Sequence, residues 1–427
     1  MLLIQNGRVV DPASRTDEPM DVLLSGERIV QTGAGLPVPG GAEIFDAKGL
    51  IVAPGFIDLH CHLREPGQEL SETIETGTRS AARGGFTAVC CMPNTQPVND
   101  SASVTRGIVE RAARGGAVRV WPIGAASVGS KGEALAEIAA MKDAGIVAVS
   151  DDGKPVATSR LMRQVMEYCD SLGLPVIDHC EDPPLAAGGV MREGPHSLRL
   201  GLKGIPSQSE SICAGRDVEL AQLTGARLHI AHMSAARSLE YVRYAKEHGA
   251  RVTCEVTPHH FTLADEDVRY DTSYKMNPPL ASREDREALI AGLADGSVDA
   301  IATDHAPHHP ASKEVEFDRA PFGILGFETA LALGLRELVQ KNRLSLVRLV
   351  ELFTSGPARV LGIERKIAAG HPGDITIFST GLKWTYRVND SPSKSRNSPF
   401  DGAEFTGGPV ATIVGGRFAY RRPQEQA

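Results

Sequence analysis

One unit recurs eight times between residues 56 and 308: an apolar run of strand-forming residues, a polar or glycine-rich end, and a stretch of helical pattern. The runs end, in order, at His60 and His62, Pro93-Asn94, Gly124-Ala125, Asp151-Asp152, His179, His232, Thr257-Pro258 and Asp304. Strands that alternate with helices pair in parallel through right-handed crossovers. Eight such units predict an α/β fold, a closed (β/α)8 TIM-type barrel whose strands all end at one mouth. An open doubly wound sheet is the alternative, but it does not explain polar residues at so many strand ends.

Two of the intervening helices can be placed from the sequence. A helical pattern of apolar residues runs between Ser159, the expected N-cap, and Gly173, the expected stop. A second pattern starts at Ser282, has Asp285 three residues later, and meets Gly296. The second pattern predicts a capped amphipathic helix that packs on the sheet.

Both ends of the chain differ from the middle, because they offer short alternating strands punctuated by glycine and proline. We therefore predict two domains: a composite β-sandwich of residues 1–53 and 366–427, and a barrel of residues 54–365. Within the tail, the runs at 374–378 and 411–414 are expected to pair with the N-terminal strands.

Composition excludes several classes of partner. The net charge of −8 and the scattered Lys and Arg argue against nucleic-acid binding, which needs clustered positive charge. No apolar run approaches the roughly 20 residues that span a bilayer, and the apolar start is too short for a signal peptide. Seven cysteines without a C-x-x-C pair fit reduced thiols. We expect a cytoplasmic protein that acts on a small molecule, binds neither membrane nor nucleic acid, and forms a homo-oligomer.

The residues that end the runs are of the types that hold metal ions. In an extended strand, His60 and His62 point to the same side and can grip one cation. The remaining candidates are His179, His232, Asp304 and one of Asp151 and Asp152, between which spacing alone does not choose. Imidazoles and carboxylates without thiolates suit Zn²⁺, with Mn²⁺ or Co²⁺ as substitutes. The set exceeds the needs of one tetrahedral ion, so a two-metal centre is predicted.

Asp304 closes the last strand of the predicted barrel, where it can reach both a metal ion and a bound water. It is therefore the expected general base, and its structural alternative is an aspartate that caps the following turn. Two divalent ions against two carboxylates and a hydroxide leave a positive charge, which favours an anionic substrate.

Several motifs resemble those of one enzyme superfamily. They are the stretch 54–67 around the His-Cys-His motif, Met92-Pro-Asn-Thr95, Asp178-His-Cys-Glu181 and the stretch 303–308. Together they resemble the amidohydrolase superfamily, and most closely the longer bacterial class of dihydroorotases. The likeness covers nearly the whole chain, including a tail segment at 393–402. It implies reversible conversion between L-dihydroorotate and N-carbamoyl-L-aspartate in de novo pyrimidine (UMP) biosynthesis.

The resemblance also implies how the ligands are shared. His60, His62, Asp152 and Asp304 would hold one Zn²⁺, while Asp152, His179 and His232 would hold the other, with Asp152 as the bridge. Many relatives carry a carbamylated lysine at this strand end. Here no lysine occupies the matching position, and Lys154, two residues beyond Asp152, is not expected to replace it.

Substrate contacts follow from the same resemblance, with the carboxylate of the substrate expected on a fixed arginine. The implied contacts are His62, Arg64, Asn94, Asn277, His308, Phe322 and Gly323, with Pro321 beside the last two. Residues 306–323 are expected to form a lid that excludes water. Glu181 is interpreted as a supporting carboxylate, His229 as a packing residue, and His259 and His260 receive no role.

Two other functions remain open at this stage. The same centre could hydrolyse another cyclic amide, as in a hydantoinase or an allantoinase, although those relatives normally bring the bridging lysine. Alternatively, the chain could be a dihydroorotase-like scaffold for aspartate carbamoyltransferase. The complete ligand set argues against a role as a scaffold alone, and association with that transferase remains an expected partnership.

Overall fold

The structure is a computed structural model that describes residues 1–423. The N-terminal strands are β1 (Leu2–Asp11), β2 (Thr16–Ser25), β3 (Arg28–Gly33), β4 (Glu43–Asp46) and β5 (Ile51–Pro54). The strands of the central part are β6 (Phe56–Cys61), β7 (Phe86–Cys91), β8 (Arg119–Gly124), β9 (Ala148–Val149), β10 (Val176–Asp178), β11 (Met191–Arg192), β12 (Gly204–Ile205), β13 (Leu228–Ile230), β14 (Val252–Val256) and β15 (Ala300–Ile301). The last strands are β16 (Ile375–Thr385), β17 (Glu404–Val414) and β18 (Arg417–Arg421).

Helices follow most of the central strands. The first seven are α1 (Ile74–Arg83), α2 (Ala102–Gly115), α3 (Ile138–Ala144), α4 (Ser159–Ser171), α5 (Pro183–Ala186), α6 (Pro195–Leu200) and α7 (Gln208–Thr224). The others are α8 (Ala236–Glu247), α9 (Pro258–Thr262), α10 (Arg283–Asp295), α11 (Pro310–Lys313), α12 (Ala330–Gly334), α13 (Leu346–Phe353) and α14 (Ser355–Leu361). Among residues 1–423, no helix combines the length and the apolar character needed to cross a bilayer.

Eight parallel strands form the predicted barrel, in the order β6-β7-β8-β9-β10-β13-β14-β15. The two outer strands meet through a parallel bridge between Cys61 and His305, and the amide of His62 donates to the carbonyl of His305 at 2.8 Å. The barrel is therefore nearly closed, and the open-sheet alternative is wrong. All eight predicted strand ends lie at its carboxyl-end mouth.

The two helices predicted from patterning both form, and one differs in its cap. Helix α10 has Ser282 as N-cap, which accepts from the amide of Asp285, and ends at Gly296 in the left-handed conformation. Helix α4 is capped by Thr158, whose side chain accepts from the amide of Leu161. The expected cap, Ser159, was wrong because Ser159 is already helical, whereas Thr158 has the extended backbone that a cap needs.

Strands from both chain ends combine into one hydrogen-bonded sheet, in the order β18-β17-β16-β5-β1-β2-β3, with β4 on β1. Strand β16 pairs antiparallel with β5, so the small domain built from both termini is confirmed. The 411–414 run lies in β17, which pairs with β16 and β18 rather than with an N-terminal strand. That part of the prediction was wrong because β1 and β16 already occupy the two edges of β5.

Aromatic packing attaches this sheet to the barrel. The ring of Phe56, on the first barrel strand, stacks on Phe353 at 5.1 Å and lies 6.0 Å from Phe378 of β16. All three side chains are fully buried, and all seven cysteines are buried free thiols, as predicted. The barrel mouth is thus presented by a well-packed scaffold.

Candidate metal centre and substrate pocket

Six side chains from five barrel strands converge at the mouth of the barrel, and all six are buried. Asp152 lies at their centre: its Oδ1 is 3.3 Å from His60 Nε2 and 3.5 Å from both His179 Nδ1 and His232 Nε2. Its Oδ2 is 3.6 Å from His62 Nε2. A single carboxylate therefore faces four imidazoles, which is the arrangement expected of a bridging ligand.

The six form two overlapping groups that could each hold an ion. His60, His62 and Asp304 make one group, in which His62 Nε2 lies 3.1 Å from Asp304 Oδ1. His60, Asp152 and His232 make the other, and His179 Nδ1 joins it at 2.9 Å from His232 Nε2.

Asp151 and Asp152, which spacing could not separate, face different ways. The carboxylate of Asp151 accepts from the amides of Ala126 at 2.9 Å and Ser127 at 3.2 Å, and from the hydroxyl of Ser127. Asp151 therefore fixes the neighbouring loop, and Asp152 alone points into the centre.

The donor set fits divalent metal ions. His60 Nε2 and Asp152 Oδ1, which lie 3.3 Å apart at the centre of the site, are buried and have no hydrogen-bond partner among residues 1–423. Burying such groups unpaired is costly, so lone pairs aimed at a common point indicate ligands. Nitrogen and oxygen donors without thiolates suit Zn²⁺ and related ions.

Electrostatics keep both carboxylates of the centre ionised. Burial raises the pKa of Asp152, but the charge of His60 and the neighbouring imidazoles of His179 and His232 hold that pKa well below the ordinary value. Burial likewise raises the pKa of Asp304, and the hydrogen bond from His62 together with the charge of His60 lowers it below the ordinary value. Both groups are carboxylates at neutral pH, as ligands must be.

Three residues of the site have left-handed backbone conformations that are unusual outside glycine. The φ angles are 61° for Arg64, 30° for His232 and 44° for Asp304. Such conformations cost about 1–3 kcal/mol each and persist where the surrounding structure imposes them, often at functional sites.

Glu255 contacts the candidate metal centre and was not predicted from the sequence. It is fully buried, and its Oε2 lies 3.1 Å from His229 Nε2 while its Oε1 lies 3.4 Å from His60 Nδ1. Burial raises its pKa, but the hydrogen bonds from His229 and His60 lower it to about 2. Glu255 thus orients His60, and His229, treated as a packing residue, is its partner. A signal existed, since Glu255 is a charged residue inside the buried strand β14.

Asp58 supports Asp304 in a similar way. The amide and the hydroxyl of Thr303 each donate to the Asp58 carboxylate at 2.7 Å, which holds the backbone next to Asp304. Burial raises the pKa of Asp58 to about 8, and the Thr303 hydrogen bonds oppose that shift.

A cavity of about 550 Å³ opens above the six ligands. Every residue predicted to contact substrate lines it: His62, Arg64, Asn94, Asn277, His308, Phe322 and Gly323. Lys154 also lines the cavity, at its wall beside Gly153. The structure therefore brings the predicted substrate contacts and the predicted ligands to one place.

Arg64 supplies a buried positive charge to this cavity. Its Nε donates to the carbonyl of Pro307 at 3.1 Å, and a terminal nitrogen lies 3.4 Å from His308 Nε2. Within residues 1–423, no carboxylate lies within 4.0 Å of the guanidinium. Burial lowers the pKa of Arg64 to about 10, so it stays charged at neutral pH and can pair with an anionic ligand.

The two asparagines of the cavity, Asn94 and Asn277, contact the candidate metal ligands. Asn94 bridges His62 Nδ1 at 2.9 Å and Asp152 Oδ2 at 3.2 Å. Asn277 lies 3.3 Å from His179 Nε2 and donates to Glu181 at 3.0 Å, while its own Oδ1 is buried and has no partner among residues 1–423. Glu181 lies 3.9 Å from His179, the position of a supporting carboxylate.

The two histidines left without a role are both buried. His260 is committed to Thr257 at 2.8 Å and to the carbonyl of Pro278 at 3.0 Å, so it is a packing residue. His259 Nε2 has no partner among the described residues, and burial lowers the pKa of His259 to about 4.

A second buried cluster, of Asp178, Cys180, Cys213 and Asp217, lies behind β10. Arg216 pairs with both oxygens of Asp217, at 2.8 and 3.0 Å. The Cys180 thiol lies 3.4 Å from Asp178 and the Cys213 thiol 3.5 Å from Asp217. One arginine and two thiol donors thus satisfy this cluster internally.

The chain is similar to known proteins over nearly its full length. The family model described as "Dihydro-orotase-like" matches residues 49–238. Curated relatives named dihydroorotase include one from Solibacter usitatus, 57% identical over 99% of this chain and 98% of its own, and one from Citrifermentans bemidjiense, 51% identical over 98% and 99%. Among solved structures, an L-hydantoinase from Arthrobacter aurescens matches with a TM-score of 0.89 at 25% identity, covering 99% of this chain and 96% of its own. A D-hydantoinase from a Bacillus species matches with a TM-score of 0.86 at 27% identity, covering 99% and 95%.

Proposed function

The chain belongs to the dihydroorotase family, and from that premise we propose that it interconverts L-dihydroorotate and N-carbamoyl-L-aspartate in the cytoplasm, as a step of de novo pyrimidine biosynthesis. The observation that carries the proposal is the buried Arg64, which has no carboxylate partner among residues 1–423 and faces the same cavity as the six clustered candidate ligands. A cyclic amide with a carboxylate substituent needs both: a hydrolytic centre and a fixed cation.

The metal centre is proposed to hold two Zn²⁺ ions. His60, His62, Asp152 and Asp304 would hold one ion, and Asp152, His179 and His232 the other, with Asp152 shared. When bound, such ions act as Lewis acids that polarise a carbonyl and make water more acidic. The position of the Asp152 carboxylate, 3.3–3.6 Å from all four imidazoles, supports Asp152 as the shared ligand.

Asp304 is proposed as the general base. It is ionised at neutral pH, because the hydrogen bond from His62 and the charge of His60 outweigh the effect of burial on its pKa. In the hydrolytic direction it accepts the proton of the attacking water and returns it to the ring nitrogen that leaves. In the synthetic direction it takes the proton from that nitrogen. Thr303, fixed by Asp58, keeps the carboxylate in place between these steps.

Arg64 is proposed to bind the substrate carboxylate that does not react. Its guanidinium is held by Pro307 and lies beside His308, so it is oriented before substrate arrives. Asn277 offers its Oδ1, which has no partner among residues 1–423, and the stretch Pro321–Gly323 lines the same cavity. Asn94 would act mainly by holding His62 and Asp152.

Hydrolysis of another cyclic amide is less well supported. The hydantoinase likenesses are at 25–27% identity, whereas the curated relatives at 50–57% are named dihydroorotase. The fold is shared by both kinds of enzyme, so the closer sequence relationship decides between them. A purely scaffolding role conflicts with a complete and converging ligand set.

Two partnerships are part of the proposal: self-association into a homo-oligomer and binding to aspartate carbamoyltransferase. Size-exclusion chromatography coupled to light scattering, with and without that transferase, tests both. A monomer that does not shift when the transferase is added would contradict them.

The function itself is tested with a substrate panel at neutral pH. Zinc-loaded protein is given L-dihydroorotate, N-carbamoyl-L-aspartate, hydantoin and allantoin in separate assays. We expect interconversion of the first two and kcat/KM values for the last two that are lower by at least about 10²-fold, because neither carries a ring carboxylate for Arg64. Preference for hydantoin or allantoin would replace the proposal with the other cyclic-amide activity.

A further inference from the structure

Asn397 lies outside the barrel sequence, in the tail between β16 and β17, yet its side chain reaches the substrate pocket wall. Its Nδ2 donates to the carbonyls of Ala306 and Gly323, each at 3.0 Å, and its Oδ1 accepts from the amide of His308 at 3.1 Å. Its own carbonyl accepts from the amide of Leu325 at 2.9 Å. Both donor hydrogens and the acceptor of this buried amide are therefore used, all on backbone groups of the wall.

The groups that Asn397 joins come from the two ends of one excursion of the chain, residues 306–323. Besides Asn397, these ends meet at a hydrogen bond from the Ala306 amide to the Ile324 carbonyl, at 2.8 Å, and at one between His308 Nε2 and the Phe322 carbonyl, at 2.7 Å. Gly323 has a φ of 130°, and a Cβ there would lie 2.6 Å from the Cβ of Ala306. The ends thus approach closely, and Asn397 lies across the junction.

The tail segment is itself anchored to the barrel near the first ligands. Glu72, which is fully buried, accepts from the hydroxyl of Ser393 and from the amide of Lys394. The hydroxyl of Ser395 donates to the carbonyl of Ser71 at 2.7 Å. Glu72 also lies 3.5 Å from His305 Nε2, next to Asp304. Asn397 is therefore held on a fixed support.

A second side chain, that of Lys313, also fixes the excursion of residues 306–323. The amino group of Lys313 is mostly buried and donates to the carbonyls of Pro321 at 2.8 Å and Thr272 at 3.0 Å. Its acceptors, which also include the carbonyl of Lys275, do not belong to Ala306 or His308. Asn397 joins the same two sides of the pocket wall, at His308 and at Gly323, and so reinforces the direct contact between His308 and the Phe322 carbonyl.

We propose that Asn397 is a positioning residue for substrate: it sets the distance between His308 on one side of the pocket and Phe322–Gly323 on the other. The proposal rests on the function proposed above, since those residues are its substrate contacts. It assigns to the tail a role in substrate binding that is separate from holding metal, because Asn397 contacts none of the six ligands.

The test is Asn397→Asp, which keeps the size and the acceptor oxygen but replaces both donor hydrogens by an oxygen facing two carbonyls. We expect KM for L-dihydroorotate to rise about tenfold or more, as for two lost hydrogen bonds, with kcat changed much less and bound zinc unchanged. Protease cleavage within residues 306–323 should become faster. Asn389→Asp, the same chemical change at an exposed position of the same tail, is the matched control and should behave as the native chain.

The outcomes separate the two proposals. A native chain that is inactive on L-dihydroorotate overturns the proposed function. In that case, faster protease cleavage of Asn397→Asp would still show whether Asn397 holds the pocket wall in place. An active native chain with an unchanged Asn397→Asp variant overturns the positioning role alone. Loss of zinc or a matched fall in kcat would show a general structural role and would also overturn it. If Asn397→Asp does not fold, Asn397→Ser, which keeps one hydroxyl donor, is measured in the same way.

Discussion

Asp304 has two proposed tasks at the scale of a single residue: it binds metal and it moves the proton. Replacing it with asparagine keeps the shape but removes the basic oxygen, because an amide does not accept a proton at neutral pH. We expect Asp304→Asn to lower kcat by about 10²–10⁴-fold in the dihydroorotate assay. Asp143→Asn, an exposed position on α3, is the control and should keep native activity. Near-native turnover by Asp304→Asn would remove it from the mechanism.

Glu255 is expected to act through His60. Glutamine at this position cannot serve both His229 and His60 as a charged acceptor, so the orientation of the His60 ring is lost. Metal affinity should fall about 10–100-fold in Glu255→Gln, as for other carboxylates behind a liganding histidine. A chelator competition titration measures it, with Glu247→Gln at the exposed end of α8 as control. Equal affinities in the two variants would exclude this role.

Some of this residue-level detail could be predicted and some could not. Liganding types at strand ends were visible, since a barrel brings all strand ends together. The choice of Asp152 over Asp151 needed the resemblance, because both residues follow the same strand. Only the fold shows that the Asp151 carboxylate accepts a hydrogen bond from the Ser127 hydroxyl. Glu255 was missed because its partners, His60 and His229, come from other strands and sequence spacing does not record such contacts.

At the scale of elements, the ends of helices and strands follow local rules, but only some of these ends can be recognised from the sequence. Ser282 was recognisable as a cap because Asp285 completes the pattern, and its hydroxyl accepts from the Asp285 amide at 3.1 Å. Thr158 was not recognisable as a cap, because its neighbour Ser159 is also a residue type that caps helices. Only the backbone conformation shows which of the two is the cap. Pairing partners in the small sheet are less local still, which is why the partner of β17 was assigned wrongly.

The cap of α10 gives a stability prediction. Ser282→Ala removes the acceptor for the Asp285 amide, and the free energy of unfolding should fall by about 1 kcal/mol. Ser207→Ala, at the start of α7, is the matched control because that serine makes no side-chain cap hydrogen bond. Urea unfolding followed by circular dichroism measures both. A larger loss at Ser207 than at Ser282 would contradict the assignment of the cap.

For the whole molecule, one buried carboxylate ties the terminal sheet to the barrel. Asp374, immediately before β16, pairs with Arg119 of β8 at 2.7 Å and with Arg365 at 2.6 Å. Burial raises the pKa of Asp374, but the hydrogen bond from Arg119 and the charge of Arg365 bring it below the ordinary value. The link therefore depends on an ionised carboxylate at the junction of the two sheets.

Asp374→Asn should destabilise the fold by about 3–5 kcal/mol, because it leaves the buried Arg365 without its partner. The folded-state pKa is depressed, so this contribution is fully present above the unfolded value of about 4 and is lost as pH falls through the folded value. Thermal unfolding of the native chain and of Asp374→Asn is measured from pH 7 to pH 3. The difference between their melting temperatures, the gap, should be constant above about pH 4 and should narrow below it. A gap that widens in acid would refute the ion-pair account. Glu364→Gln, an exposed position, is the control.

The overall fold by itself does not identify the substrate, since hydantoinases share it at TM-scores of 0.86 and 0.89. The substrate is inferred instead from the sequence relatives and from the side chains at the barrel mouth. The architecture could be predicted because strand and helix alternate throughout residues 56–308, whereas the tail's contact with the pocket through Asn397 could not, because nothing local links positions 397 and 308.

The most direct test is dihydroorotate turnover during metal removal and return. The protein is stripped with a chelator, assayed on L-dihydroorotate, titrated with Zn²⁺ and assayed again, with bound zinc measured at each step. The account predicts no turnover in the stripped protein and recovery that follows zinc binding up to two ions per chain. Turnover that persists without metal, or a zinc-loaded protein that leaves L-dihydroorotate unchanged, would contradict it.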